Sequence, residues 1–408
     1  MLIKKLQERM NVLAQSNMLR QKWIAQSRTG THQLINNADH SVSAKHTLFC
    51  SNDYLGFASH PDILDALKEG IEIWGGGSGA SHLISGHMAP HEQLEMMLSR
   101  LFSQIIPDNR CLTFSTGYMA NLAVMTVLGE GDCEVFSDEL NHASLIDGIR
   151  LCKSKVNIYK HRDYEALESM LKKNTSDIRL IVTDGVFSMD GDQADLSVLS
   201  DLAVKYDAWI IVDDAHGYGV LGKKGLGSLE NENEKELSGR IILVGTLGKA
   251  AGLSGAFVIA NHTIIDYLFQ RARSYVYTTA ALPAISFALL TSLKLMHGNE
   301  GVRRRNHLRS LEGHLRQGLS GMVSAQSNVG LHITKSSSPI QGLVVGDVLS
   351  AIDLSSGLLE LGFRVPAIRP PTVPSGTSRI RLTLSADHTV NDIDRLMDAL
   401  HILVNKLA

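Results

Sequence analysis

Cysteine is scarce in this chain: Cys50, Cys111, Cys133 and Cys152 are the only four in 408 residues, far apart and without a CxxC pair. That argues against a disulfide framework and a zinc cage, and it fits a reducing compartment. Long apolar runs are missing too. The longest weakly polar stretch, TTAALPAISFALL, is broken by a proline and is shorter than the roughly 20 residues that span a bilayer. The N-terminal MLIKKLQERMNVLAQSNMLRQKW mixes charges with apolar residues at helical spacing and lacks the continuous apolar core of a secretion signal. Neither sign of charge is in excess, since 39 Lys and Arg against 42 Asp and Glu leave a net charge of -3. Nothing in that balance calls for nucleic acid or an anionic membrane as a partner. These absences predict a cytoplasmic protein that acts on small molecules. There is no internal repeat and no low-complexity segment, and NENEKE at 231–236 reads as a solvated loop.

What the sequence does contain is a rhythm. Between about residues 110 and 260 come the apolar runs CLTF, EVFSD, KVNIY, IRLIVTDGVF, WIIVDDAHG, IILVGT and GAFVIA. Several are continuous rather than alternating, as in strands covered on both faces, and helical stretches such as DYEALESMLKK and LSVLSDLAVKYD separate many of them. The pattern predicts an α/β domain around a mostly parallel sheet, with ligands at the carboxyl ends of the strands. After about residue 282, long helical stretches, two short strands (IQGLVVG and SRIRLTLSA) and a last helix predict a smaller α+β domain. The expected division is a helical segment and arm over 1–50, a large α/β domain over 51–282 and a small α+β domain over 283–408.

The residues that close the runs carry the chemistry. GTLGKAAGLSG, residues 245–255, sets Lys249 among glycine, alanine and other small residues. A lone lysine is more often a surface residue. Here the small neighbours would let a flat ligand approach, and an amine in a partly apolar pocket has the lowered pKa that a Schiff-base lysine requires. The motif fits attachment of pyridoxal 5'-phosphate, which acts as an electron sink only while its ring nitrogen stays protonated. WIIVDDAHGYG supplies a carboxylate for that nitrogen, Asp213, and an imidazole three residues on, His216, for the phenolic oxygen; the plainer reading of DDAH is a metal or turn cluster. TFSTGYMANLAVM reads as strand, turn and helix, with backbone N–H groups at Gly117 and Tyr118 for a phosphate, and Thr246 adds a hydroxyl. His142 in DELNHASL could stack on the ring, and Ser188 in TDGVFSMDGD lies at another strand end. A substrate carboxylate calls for a forked guanidinium. In SRIRLTLS, Arg379 and Arg381 share one face of a strand, and one of the two is expected on the surface. Arg369 and Thr372 sit in the proline-stiffened AIRPPTVPSGT, a wall for a longer substrate.

Taken in order, SNDYLG, GSGASHLISGH, NHASL, TDGVFSMDGD, VDDAHGYGVLG, TLGKAAGLSG and AIRPPTVPSGTSRIRLTLSADHT resemble the α-oxoamine synthases, from about residue 15 to the last helix. The resemblance implies aminotransferase fold type I, with a mostly parallel seven-stranded sheet, and a homodimer whose active sites lie at the subunit interface. It implies an acyltransferase with these roles: Lys249 bonds the cofactor and moves the α-proton, Asp213 pairs with the ring nitrogen, His216 faces the phenolic oxygen, and His142 stacks with Ser188 beside it. Gly117 and Tyr118 would help hold the phosphate or line the cofactor face, and Thr246 would contact the phosphate, with Thr278 or Thr279 reaching it from the other subunit. Asn52 and Arg381 would hold the amino-acid carboxylate, and Arg20, Arg369 and Thr372 would line the acyl side. AIRPPTVPSGTSRIRLTLSADHT and GSGASHLISGH are most similar to the version that condenses L-alanine with a pimeloyl thioester, on coenzyme A or an acyl carrier protein; a sister enzyme using glycine or another acyl-CoA is the alternative. Asp184 stands where the family more often has glutamate, which keeps the carboxylate and shortens its reach. A dehydrogenase reading of GGGSGA at 75–80 lacks the preceding strand that motif needs, and HEQLE at 91–95 is not HExxH.

Overall fold

All seven apolar runs become strands of one sheet, in the spatial order Asn109–Phe114, Ala256–Asn261, Ile241–Thr246, Trp209–Asp213, Ile178–Asp184, Cys133–Asp138, Lys155–Tyr159. The computed structural model describes residues 1–36, 43–230, 237, 239–326 and 330–406, so NENEKE lies outside the described residues. The five strands from Ile241–Thr246 to Lys155–Tyr159 pair in parallel, and Ala256–Asn261 runs antiparallel to both its neighbours. The continuous apolar character of the runs has a direct cause. Ile211, Ile242, Val244, Val258, Leu180 and Val182 pack into a cluster on one face, while Ile210, Val212, Leu243, Phe257, Ile259 and Ile181 join the core on the other. A strand covered on both faces has no position left for a solvated side chain.

Helices cross between these strands, and side chains fix where they begin. Thr116 caps Gly117–Leu128 by accepting from the Met119 N–H, Asp163 caps Tyr164–Lys173 through Ala166, and Asp195 caps Leu196–Lys205 through Val198. Each cap satisfies an amide that the helix itself leaves unpaired. Because the crossovers return the chain in one direction, Asp138, Asp184, Asp213 and Thr246 all close strands at the same edge of the sheet.

Two smaller sheets complete the fold. One is antiparallel, in the order His332–Ile333, Ile340–Gly346, Ser378–Thr383, Ala367–Ile368. The other joins Ile24–Ala25, His32–Asn36 and Ser43–Leu48 to Phe363–Arg364, so the first fifty residues are paired to the C-terminal part of the chain. Further backbone bonds tie the two: Thr383 N–H donates to Phe49 O, and Ala386 N–H to Tyr54 O, both at 2.8 Å. These bonds bring SNDYLG beside SRIRLTLSA. Among the described residues no helix is long and apolar enough to cross a membrane.

Candidate active site

Lys249 follows the end of Ile241–Thr246, one strand from Asp213. Its Nζ lies 2.8 Å from His216 Nε2. Loss of hydration lowers the amine to about 8, against the pull of the Asp213 and Asp184 carboxylates. His216 is buried, and that burial, reinforced by the Lys249 and Arg381 cations, holds the imidazole well below its usual range and therefore neutral. On its other side Nδ1 is 2.6 Å from the Tyr54 hydroxyl.

Asp213 is fixed from two directions. Its Oδ2 accepts from Asn121 Nδ2 at 2.6 Å and its Oδ1 from the Ala215 N–H at 3.0 Å. Asn121 Nδ2 also reaches Ser144 Oγ at 2.8 Å, and Ser144 Oγ lies 2.7 Å from His142 Nδ1, so one polar chain connects Asp213 to His142. His142 is exposed and caps Ala143–Leu151. Asp184 stands directly opposite Asp213 in the parallel register and accepts the His142 N–H at 3.2 Å. Burial and the neighbouring Asp213 charge push its carboxyl well above the usual range. Its shorter side chain thus keeps a positioning role. The second aspartate of DDAH turns the other way: Asp214 accepts from Ser228 N–H at 2.8 Å and organises the following turn. No metal cluster among the described residues includes this motif.

The TFSTGYMANLAVM segment forms the expected strand, turn and helix, with Gly117 as the first helical residue. A Cβ at Gly117 would meet nothing within 4 Å, so the backbone there is open to a ligand. Tyr118 is exposed and its hydroxyl donates to Asp147. Thr246 Oγ1 donates to Gly255 O at 3.2 Å and accepts from the Gly248 N–H at 3.2 Å. An amine of lowered pKa, a fixed carboxylate and an open helix start form a donor set that fits pyridoxal phosphate.

The small residues around Lys249 do less for a ligand than their composition suggests. A Cβ on Gly252, whose φ is +74°, would sit 2.5 Å from the Phe57 carbonyl carbon, and one on Gly245 would strike the Phe257 ring. Ala250 and Ala251 are buried, with Ala251 O accepting from Ser292 Oγ at 2.7 Å. Gly248 is exposed, and a Cβ there would make only ordinary contacts, 3.6 Å from Thr246 Oγ1. Most of the loop is small because protein packs against it.

Both arginines of SRIRLTLS are buried, which corrects the expectation that one lies on the surface. Arg379 pairs with Asp190 at 2.5 Å. Arg381 Nε donates to Ser188 O at 2.7 Å, and its Nη2 lies 3.5 Å from Asn52 Oδ1. Both thus engage the turn after Ile178–Asp184, because same-face residues of one strand meet the same neighbour. Arg369 donates to Leu19 O at 3.2 Å, bringing it beside exposed Arg20, and Thr372 N–H donates to Arg369 O at 3.1 Å. Ser81 bridges Thr279, and Ser78 Oγ donates to Ala280 O at 2.8 Å, so GGGSGA, after the helix Pro61–Trp74, packs against the segment that carries Thr278 and Thr279.

Three residues escaped the sequence reading. Tyr54 lies in SNDYLG beside Asn52, Asn121 in TFSTGYMANLAVM and Ser144 in NHASL, and no motif marks any of the three. Their signal was polarity in apolar stretches: Asn121 opens the run NLAVM and is fully buried. HEQLE contributes His91 to a cluster with His82 and His87, yet His91 Nδ1 accepts from Met88 N–H and Nε2 faces Ala281 O at 2.9 Å. Both ring nitrogens are committed to backbone, so that imidazole has no lone pair for a metal.

Comparison with known proteins identifies the group. Residues 44–400 match the family model for aminotransferases of class I and II, and the chain belongs to that family. Its relatives include an 8-amino-7-oxononanoate synthase of Leptothrix cholodnii, 49% identical with 100% of both chains covered, and one of Cupriavidus necator, 51% identical over 95% of this chain and 94% of the relative. Among solved structures, the 8-amino-7-oxononanoate synthase of Francisella tularensis is 30% identical, with TM-score 0.72 over 88% of this chain and 98% of that one. The serine palmitoyltransferase of Sphingomonas wittichii is 27% identical, with TM-score 0.87 over 99% and 97%. The fold type, the family resemblance and the enzyme class expected from the motifs are borne out.

Proposed function

We propose that this chain condenses L-alanine with a pimeloyl thioester, releasing carbon dioxide and the free thiol carrier and giving 8-amino-7-oxononanoate for biotin synthesis. The observation that carries the reading is the Lys249 amine, held by His216 beside Asp213, in a chain half identical over its length to enzymes of that name. Bound pyridoxal phosphate supplies an electron sink for the pair left when the α-proton of alanine is removed. The protein residues do the rest. Lys249 would bond the cofactor, and its amine is the base that would take the α-proton of alanine and return a proton to the same carbon after carboxylate loss. Asp213, held as an acceptor by Asn121 and the Ala215 amide, would keep the ring nitrogen protonated. His216 would offer a neutral imidazole to the phenolic oxygen, and His142 would lie against the ring with Ser188 beside it. Thr246 would contact the phosphate, and Gly117 and Tyr118 would help hold it or line the cofactor face. Arg381 and Asn52 hold the alanine carboxylate.

Arg20, Arg369 and Thr372 line the acyl side, where a guanidinium pair suits the free carboxylate at the far end of a pimeloyl chain. Thr278 or Thr279 would reach the phosphate held by a second subunit, in a homodimer acting in the cytoplasm. The closer backbone likeness to a serine palmitoyltransferase favours one competing reading, a sister acyltransferase with another amino acid and chain. Thiol release and product mass decide between them. L-alanine with pimeloyl-CoA is expected to exceed glycine or serine with pimeloyl-CoA, and alanine with palmitoyl-CoA, by at least tenfold; the reverse order sinks the alanine and pimeloyl assignment.

A further inference from the structure

A continuous line of polar groups runs from the seat of the amino-acid carboxylate to the reactive amine. Arg381 Nη2 donates to Asn52 Oδ1 at 3.5 Å, Tyr54 Oη lies 3.3 Å from the same oxygen, His216 Nδ1 lies 2.6 Å from Tyr54 Oη, and Lys249 Nζ lies 2.8 Å from His216 Nε2. Valence fixes the direction of each bond. An ammonium can only donate, so Nε2 accepts from Lys249; a neutral imidazole then carries its hydrogen on Nδ1 and donates to Tyr54 Oη. The tyrosine's own hydrogen is left for Asn52 Oδ1, an acceptor. Tyr54 is fully buried, which pushes its hydroxyl up to about 12, so it stays protonated throughout.

We infer that Tyr54 is a positioning residue: it locks His216 in the Nδ1–H form, so that Nε2 receives Lys249, and it couples the Asn52–Arg381 carboxylate seat to that amine. The inference rests on the functional reading above for its purpose, although not for its geometry. Lys249 is faced also by the Asp213, Asp184 and Asp214 carboxylates, which favour its charged form, and by Arg381, which disfavours it. His142 and Arg381 are the other charged or titratable neighbours of His216. All of these remain when the tyrosine hydroxyl is removed, so a change at Lys249 in that variant reports the relay.

The test labels full-length protein freed of its cofactor with a trace of acetic anhydride between pH 6 and 10 and follows the Lys249 peptide by mass spectrometry. Tyr54→Phe leaves Nδ1 without an acceptor, and Asn52→Ala frees the hydroxyl to donate to Nδ1 and move the ring hydrogen to Nε2. The first disfavours the Nδ1–H form that offers Nε2 to the ammonium, and the second takes that acceptor away. Both are expected to lower the labelling midpoint by about half a unit, roughly a threefold gain in label at pH 7. Thermal melting checks that each variant is folded, and Asn52→Ala carries the test if Tyr54→Phe is not. A Lys249 profile that superimposes on the wild type in either folded variant overturns the proposal. Absence of product from wild-type protein would instead sink the functional reading and leave the labelling result standing.

Discussion

At Lys249 two opposed effects meet, and burial wins. Three carboxylates lie around the amine, yet loss of hydration still lowers it to about 8. The reactive form is the free base, so reactivity rises with pH through that value. At pH 7 about a tenth of the amine is free, whereas an ordinary lysine near 10.4 has about one part in 2,500 free. Trace labelling of the cofactor-free chain is therefore expected to favour Lys249 over exposed lysines by tens to hundreds of times at pH 7. Equal labelling would mean that the site does not lower this amine. Asp213 makes the complementary case. Asp213→Asn keeps the size of the side chain but cannot hold a ring nitrogen protonated, so turnover is expected to fall by orders of magnitude while circular dichroism stays native. Near-normal turnover would remove Asp213 from the mechanism.

Single strands and loops separate residues that look equivalent in sequence. Arg379 and Arg381 lie two apart on Ser378–Thr383, and both are buried. Their partners differ: Arg379 meets the partly exposed carboxylate of Asp190, while Arg381 meets the neutral Ser188 carbonyl, Asn52 and the Tyr54 hydroxyl, leaving charge for a substrate. Arg379→Met is expected to cost about 1–3 kcal/mol of stability, below the loss for a wholly buried pair, with the KM for alanine kept. Arg381→Met is expected to raise the KM for alanine at least tenfold with a smaller change in melting. Denaturant titration and steady-state kinetics on the two variants check this, and interchanged phenotypes would reassign the carboxylate seat. The loop carrying Lys249 behaves similarly. Gly252→Ala places a methyl against the Phe57–Ala58 backbone at a φ of +74°, and is expected to cost at least about 1–3 kcal/mol. A variant as stable as wild type would show that the loop tolerates a side chain there.

Across the whole molecule, the N-terminal helix Leu2–Gln15 buries none of its residues against its own chain, and Leu2, Ile3, Leu6, Met10 and Val12 are exposed. The homodimer proposed above gives that helix and the Thr278–Thr279 segment a second chain to meet. Light scattering is expected to give twice the 44.5 kDa of one chain, and a monomer at micromolar concentration would exclude shared active sites.

Much of this was legible in the order of residues. Continuous apolar runs specify strands covered on both faces, caps such as Thr116 and Asp195 mark where helices begin, and a lysine, a carboxylate and an imidazole at strand ends specify a cofactor chemistry. These features are local, and each is set by a few neighbours in the chain. What the sequence left open depends on contacts between distant segments. Only folding places Tyr54 against His216, 162 positions away, or Asn121 against Asp213, 92 away. Only packing against Phe57 and Phe257 explains why the residues around Lys249 are small. The choice between Arg379 and Arg381 was likewise decided by what each meets across the fold, because period two puts both on one face and says nothing of the neighbour waiting there.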